Sequence, residues 1–211
     1  MTGTRVKICG LTRPEDAALC ASLAVDYLGV IFADSPRKVT PAQAAAIRGA
    51  VSGATLVGVF ATAGVDEITR TATAAGLDMI QVHGNESQDF CRGLRERTGL
   101  PIIKAVSGDQ IPDPGSPAEW TATDFFLLDL IKGEPAPEEA MLKLWAAAAR
   151  ASRQGRSVFL AGGLDPHNVR QAMEQAAPFG VDVCRGVEQA PGIKDHGKVT
   201  EFMKEVQRVH H

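Results

Sequence analysis

Two hydrophobic periods alternate along this chain. Apolar runs of strand length occur at Val6–Cys9, Tyr27–Phe32, Thr55–Phe60, Met79–His83, Pro101–Val106, Asp124–Asp129, Val158–Ala161 and Gly180–Cys184, and their last residues lie 23 to 32 positions apart. Most intervals carry apolar residues at helical spacing. Thr12-Arg13-Pro14-Glu15 predicts a capping-box start with proline in the first turn, and Thr40-Pro41 opens a second, Ala-rich helix. Val65, Ile68, Ala72 and Ala75 form a third stripe, and Glu86 to Arg97 carry a fourth helix. Met141, Leu144, Trp145 and Ala148 make a clean apolar face, as do Val199, Phe202, Met203 and Val206. Asp165-Pro166 reads as an N-cap followed by proline, ahead of Val169, Ala172, Met173 and Ala176 on one face. The fifth interval is the weakest, because three prolines between Asp109 and Pro117 leave room for only a short helical turn. Strand and helix in regular alternation predict a single (β/α)8 barrel of the TIM type over residues 1–209, with a weak or short fifth helix. An open doubly wound sheet is the competing architecture, and the near-constant period of eight units favours closure.

Composition narrows the class without naming a chemistry. With 211 residues, 45% hydrophobic and 22% charged, the chain can bury a sizeable core as one soluble domain. A net charge of -3 points to neither nucleic acid nor membrane as a partner. No apolar run approaches bilayer length and no signal segment opens the chain, so a cytoplasmic protein is expected. Cys9, Cys20, Cys91 and Cys184 show no paired or metal-ligand spacing, which predicts free thiols and no metal. His210-His211 read as a purification-tag remnant or a natural ending.

A barrel of this kind carries its chemistry at the C-terminal ends of its strands. Cys9, His83, Asp129 and Asp182 to Cys184 fall there, as do Gly162, Gly163 and Gly186. Gly162-Gly163 and Gly186 expose bare backbone beside a helix start, which suits a phosphate; a tight turn is the plain alternative. Cys9 at the mouth suits a base or nucleophile once its pKa falls, or else a small packing residue. Closure sets the eighth strand beside the first, so Asp182 is placed to pair with Lys7 or orient Cys9. Asp129 ends an apolar strand, where a raised pKa would make it a general acid; capping the next loop is the rival role. His83 suits a proton shuttle, a hydrogen-bond donor or a structural contact. The Arg37 fork in Ser35-Pro36-Arg37 suits a substrate carboxylate, or solvent alone, and Arg185 reaches toward the phosphate or away from it.

Taken together, Val6-Lys7-Ile8-Cys9-Gly10-Leu11-Thr12, Ser35-Pro36-Arg37, Val57-Gly58-Val59-Phe60, Gln81-Val82-His83-Gly84-Asn85-Glu86, Leu127-Leu128-Asp129, Leu160-Ala161-Gly162-Gly163-Leu164 and Gly192-Ile193-Lys194-Asp195 closely resemble the phosphoribosylanthranilate isomerases of tryptophan biosynthesis. The resemblance implies a barrel without metal or organic cofactor, acting on a phosphosugar substrate as a monomer or homodimer. It implies an aldose–ketose Amadori rearrangement of N-(5-phosphoribosyl)anthranilate. Asp129 would be the acid, Cys9 the base, Arg37 the carboxylate ligand, and Gly162, Gly163 and Gly186 the phosphate cradle. Two departures stand out. Leu130 to Pro137 replace a glycine-rich loop, and Cys184-Arg185 replace a pair of serines. An isomerase for a different phosphosugar amine and a non-catalytic phosphometabolite-binding barrel are the alternative readings; joint retention of Cys9, Asp129 and Arg37 argues against the second.

Overall fold

Strand pairing runs in chain order and returns on itself. In the computed structural model, which describes residues 3–107, 111, 120–130 and 137–209, eight parallel strands form a closed barrel in the order β1 to β8. They are β1 (Arg5–Ile8), β2 (Tyr27–Ile31), β3 (Thr55–Phe60), β4 (Met79–Val82), β5 (Ile102–Val106), β6 (Phe125–Leu128), β7 (Val158–Leu160) and β8 (Gly180–Val183). The closing ladder pairs Lys7 with Asp182 and Ile8 with Val183. Seven α-helices lie among the described residues: α1 (Pro14–Ser22), α2 (Pro41–Gly49), α3 (Val65–Ala75), α4 (Gln88–Thr98), α5 (Glu138–Arg153), α6 (Val169–Ala176) and α7 (His196–Arg208).

Period-two alternation divides the apolar residues into two cores. Ile8, Leu28, Leu56, Ile80, Ile102, Leu128, Leu160 and Val181 face outward and pack with the helices. Val57, Met79, Ile103, Leu127 and Phe159 fill the barrel interior, closed below by Tyr27, Phe125 and Phe179. Phe159 meets Tyr27 edge-on with ring centroids 5.2 Å apart. At the N-terminal face, Asp26, Asp78 and Asp124 each precede an even-numbered strand. Their carboxylates accept from the backbone N–H of Val6, Leu56 and Ile102 on the strand before, at 2.9, 2.8 and 2.7 Å. Arg5, Arg48 and Arg95 pair with the same three carboxylates. This face is therefore built for stability, and the opposite rim is left for chemistry.

Several helix boundaries differ from the sequence expectation. Thr12 does not cap α1; its hydroxyl donates to the Gly192 carbonyl at 2.5 Å, and Arg13 stands at the N-cap without a side-chain capping bond. Asp165 does not open α6. Its Oδ1 accepts from the N–H groups of His167 and Asn168, closing a turn, and the helix starts at Val169. The helix therefore starts later than expected, and its N-cap Asn168 donates from Nδ2 to Gly163 O at 2.9 Å. Glu86 precedes α4, because buried Lys104 draws its carboxylate to 2.9 Å. Thr40, in contrast, forms the expected capping box with Gln43. Of the expected fifth helix, Asp109, Gln110 and Pro112 to Pro117 lie outside the described residues, as do 131–136 of the loop after β6. The expectation also lacked a hairpin, β9 (Glu188–Ala190) with β10 (Ile193–Lys194), inserted after a 3-10 turn at Arg185–Val187.

Candidate active site

Cys9 and Asp129 each lie one residue beyond the end of a strand, at the same rim. The Cys9 N–H donates to Val183 O at 2.8 Å, which continues the β1–β8 ladder to the mouth. Its sulfur rests against Gly29 of β2, where an added Cβ would approach it to 2.8 Å. One layer below, fully buried Lys7 donates to Asp182 Oδ1 at 2.9 Å. Burial pulls the Lys7 ammonium down, but the Asp182 charge, helped by Cys9, outweighs it and holds the pKa above its usual value. Lys7 therefore stays charged beneath the thiol.

Two thiols share this corner. A hydrogen bond from Cys184 is the main influence on Cys9; burial opposes it and Lys7 assists, and the Cys9 pKa falls to about 7. The same contact, with burial, pushes the Cys184 thiol well up. Cys9 is thus the member that ionises and Cys184 the one that keeps its proton, as their surroundings require: Lys7 supports the first thiol, whereas the Glu188 charge disfavours the second.

Asp129 behaves in the opposite way. Burial, reinforced by the Asp182 charge, raises its pKa to about 6, although its Oδ1 accepts from the Leu130 N–H at 2.8 Å. Exposed Arg185 lies near enough for its charge to act against that rise. His83 Nε2 sits 3.7 Å from Asp129 Oδ2, and its Nδ1 lies 3.2 Å from the buried amide of Gln81. The rim thus holds a thiol shifted down and a carboxyl shifted up, two groups brought to within about one pH unit of each other.

The glycines expected to cradle an anion stand on two adjacent loops. Gly162 and Gly163 adopt φ of +81° and +83°, a conformation that L side chains rarely take. Gly186 is tighter still, since a Cβ there would sit 2.0 Å from Leu164 O. The loops after β7 and β8 are therefore pressed together, and only glycine permits it.

Arg37 is not simply solvated. Its Nε and Nη2 donate to Glu188 at 2.8 and 2.6 Å, and its aliphatic stem crosses Gly10, whose φ is +74°. Glu188 also accepts from Lys194 Nζ at 3.1 Å and from the Gly192 N–H at 3.1 Å. Burial alone would raise the Glu188 carboxyl, yet Arg37 and Lys194 hold it below the usual range. Sequence reading gave no role to Glu188 or Lys194. The available signals were a charged residue on each side of Pro191-Gly192, a hairpin turn, and the place of Lys194 in the Gly192-Ile193-Lys194-Asp195 motif. Among the described residues no helix is long and apolar enough to cross a membrane, and no group of three or more His, Cys, Asp or Glu is placed to hold a metal ion.

The comparisons identify the family and the fold. Residues 6–205 match the family model described as N-(5'phosphoribosyl)anthranilate (PRA) isomerase. The N-(5'-phosphoribosyl)anthranilate isomerase of Geotalea uraniireducens is 39% identical over 203 residues, spanning 95% of this chain and 97% of the relative. The dimeric Thermotoga maritima enzyme, solved as engineered monomers, superposes with a TM-score of 0.81 at 32% identity, covering 97% of this chain and 99% of that one. A family structure in complex with reduced 1-(o-carboxyphenylamino)-1-deoxyribulose 5-phosphate superposes with a TM-score of 0.80 at 30% identity, over 97% of this chain and 99% of that one. With a closed barrel, its candidate residues at one rim and a match over nearly its whole length, the chain belongs to the N-(5'-phosphoribosyl)anthranilate isomerase family.

Proposed function

We propose that Cys9 and Asp129 are the acid–base pair by which this enzyme converts N-(5-phosphoribosyl)anthranilate to 1-(2-carboxyphenylamino)-1-deoxyribulose 5-phosphate. The observation that carries the reading is the opposite perturbation of two groups at one rim, around the Lys7–Asp182 pair. Asp129, in its acid form, gives a proton to the ribose ring oxygen. The bond from that oxygen to C1′ breaks, leaving a protonated Schiff base. The Cys9 thiolate then takes the proton from C2′, and the electron pair moves to the nitrogen as an enolamine. Tautomerisation puts a proton on C1′ and a carbonyl at C2′, so the sum is an isomerisation with no external oxidant or reductant.

The remaining roles follow the shape of the mouth. Gly162, Gly163 and Gly186, with Arg185 beside them, receive the phosphate. Arg37 receives the anthranilate carboxylate, His83 steadies the Asp129 carboxyl, and Asp182 sets the charge state of Lys7. No step calls for a metal or an organic cofactor. All these residues come from one chain, so the mechanism serves a monomer and a homodimer alike. Four free cysteines support a cytoplasmic setting.

The test is the fluorescence change on substrate consumption. Cys9→Ser and Asp129→Asn are each expected to slow turnover by about 10²–10⁴-fold. Turnover like that of the wild type in both variants would overturn the assignment.

A further inference from the structure

The arginine assigned to the substrate carboxylate already holds a carboxylate of its own, and this needs a physical reason. Arg37 gives one edge of its guanidinium, Nε and Nη2, to Glu188. Its Nη1 meets no acceptor among the described residues, and its backbone N–H donates to Ser35 Oγ at 3.1 Å. A lone Arg–Glu pair is a neutral dipole and a poor receptor for a second carboxylate. Glu188, however, is shared. Fully buried Lys194 donates to the same carboxylate at 3.1 Å and to the Cys184 carbonyl at 3.2 Å. Two cations and one anion leave one net positive charge, and the arginine is the most exposed of the three side chains.

This group is also tied to the starts of the first and last helices. The Lys194 N–H donates to Asp16 Oδ2 at 3.1 Å, and buried Asp16 takes the Arg13 fork and His196 Nε2 at 2.9 Å. Thr12 holds the Gly192 carbonyl, while the Gly192 N–H returns to Glu188. The β9–β10 hairpin therefore presents Glu188 from a fixed base on α1 and α7.

We propose that Glu188 and Lys194 are a positioning pair for recognition of the substrate carboxylate: Glu188 locks one edge of the Arg37 guanidinium, and Lys194 offsets the Glu188 charge, so the free edge meets the ligand as a fixed, uncancelled cation. The proposal rests on the reading of Arg37 as the carboxylate ligand. It makes Glu188 a support for substrate binding, although by charge alone it would be a competitor.

Two inhibitors test it: reduced 1-(o-carboxyphenylamino)-1-deoxyribulose 5-phosphate, and the same molecule with the carboxylate replaced by a carboxamide. Wild-type enzyme is expected to prefer the carboxylate. Glu188→Gln and Lys194→Met should each weaken carboxylate binding by about 10- to 100-fold, as a misplaced binding group does, and leave carboxamide binding unchanged. KM should rise more than kcat falls. The double variant removes both buried charges together, so it guards against misfolding of either single one, and it should show the same lost preference with a native circular dichroism spectrum. Equal weakening for both inhibitors would mean a merely structural role and overturn the proposal. Tighter carboxylate binding by Glu188→Gln would overturn it too, by showing competition for Arg37. If Arg37→Met keeps the preference, the assignment of Arg37 fails. If Arg37→Met abolishes it while the Glu188 and Lys194 variants retain it, this proposal alone fails.

Discussion

Gly186→Ala tests whether the two glycine-bearing loops act as a single anion seat. The added Cβ would lie 2.0 Å from Leu164 O and 2.9 Å from Asp165 Cβ. A carbon–oxygen contact relaxes only near roughly 3.3 Å, so the loops after β7 and β8 must part by about 1.3 Å. Neither obstacle is a flexible side-chain tip; one is a carbonyl and the other the first carbon of a residue tied into a turn by two N–H bonds. Overpacking of this kind costs about 1–3 kcal/mol of stability. The larger effect falls on binding, since displacing a recognition group by about 1 Å costs on the order of 10²-fold. The assay compares KM for the substrate and inhibition by inorganic phosphate in Gly186→Ala and in Gly53→Ala. Gly53 also has positive φ, +84°, but nothing lies within 4 Å of its added Cβ and it belongs to the opposite face. Gly53→Ala should lose only stability, about 1–2 kcal/mol of backbone strain, and keep its KM. A Gly186→Ala enzyme with wild-type KM and wild-type phosphate inhibition would refute the reasoning.

The pH profile offers a second test. Activity needs Cys9 ionised, which is lost as pH falls through about 7, and Asp129 protonated, which is lost as pH rises through about 6. The profile of kcat/KM should therefore be a narrow bell with its maximum between about pH 6 and 7. A broad plateau from pH 5 to 9 would contradict it. Lys7→Met removes the cation that favours both ionised forms and should move both limbs to higher pH; Asp182→Asn removes the anion that opposes them and should move both to lower pH. Movement of the two variants in the same direction would sink the electrostatic account. Lys7→Met should also cost about 3–5 kcal/mol of stability, because it strands a buried carboxylate, measurable by urea denaturation. Asp26→Ala, at the stability face, should lower Tm by several degrees through loss of about 1–3 kcal/mol and leave kcat unchanged; an unaltered Tm would deny that face its role.

Much of the architecture was legible because barrel strands announce themselves by length, spacing and polar ends. The rim positions of Cys9 and Asp129 followed from that pattern, and closure set Asp182 beside Lys7. Less was visible wherever a polar side chain had two possible partners. Thr12 reads locally as a helix cap, yet its hydroxyl serves a carbonyl 180 residues away. Glu86 and Asp165 likewise satisfy distant or turn-forming contacts before any helix begins. Arg37 suited a carboxylate by type, but its anchor was not visible, because Glu188 lies 151 residues away. Local propensity has no access to such pairings; only the closed barrel brings them together.

The bonds that complete the rim join the chain's earliest and latest segments: Lys7 to Asp182 across 175 positions, and Asp16 to Lys194 across 178. On a ribosome adding about 5–20 residues per second, the later partner emerges roughly 9 to 36 s after the earlier one. Throughout that interval the lysine beneath the reactive sulfur has no counter-ion and the first strand has an open edge. Closure of the barrel therefore waits on β8, and β1 stays half-paired until that strand has been made.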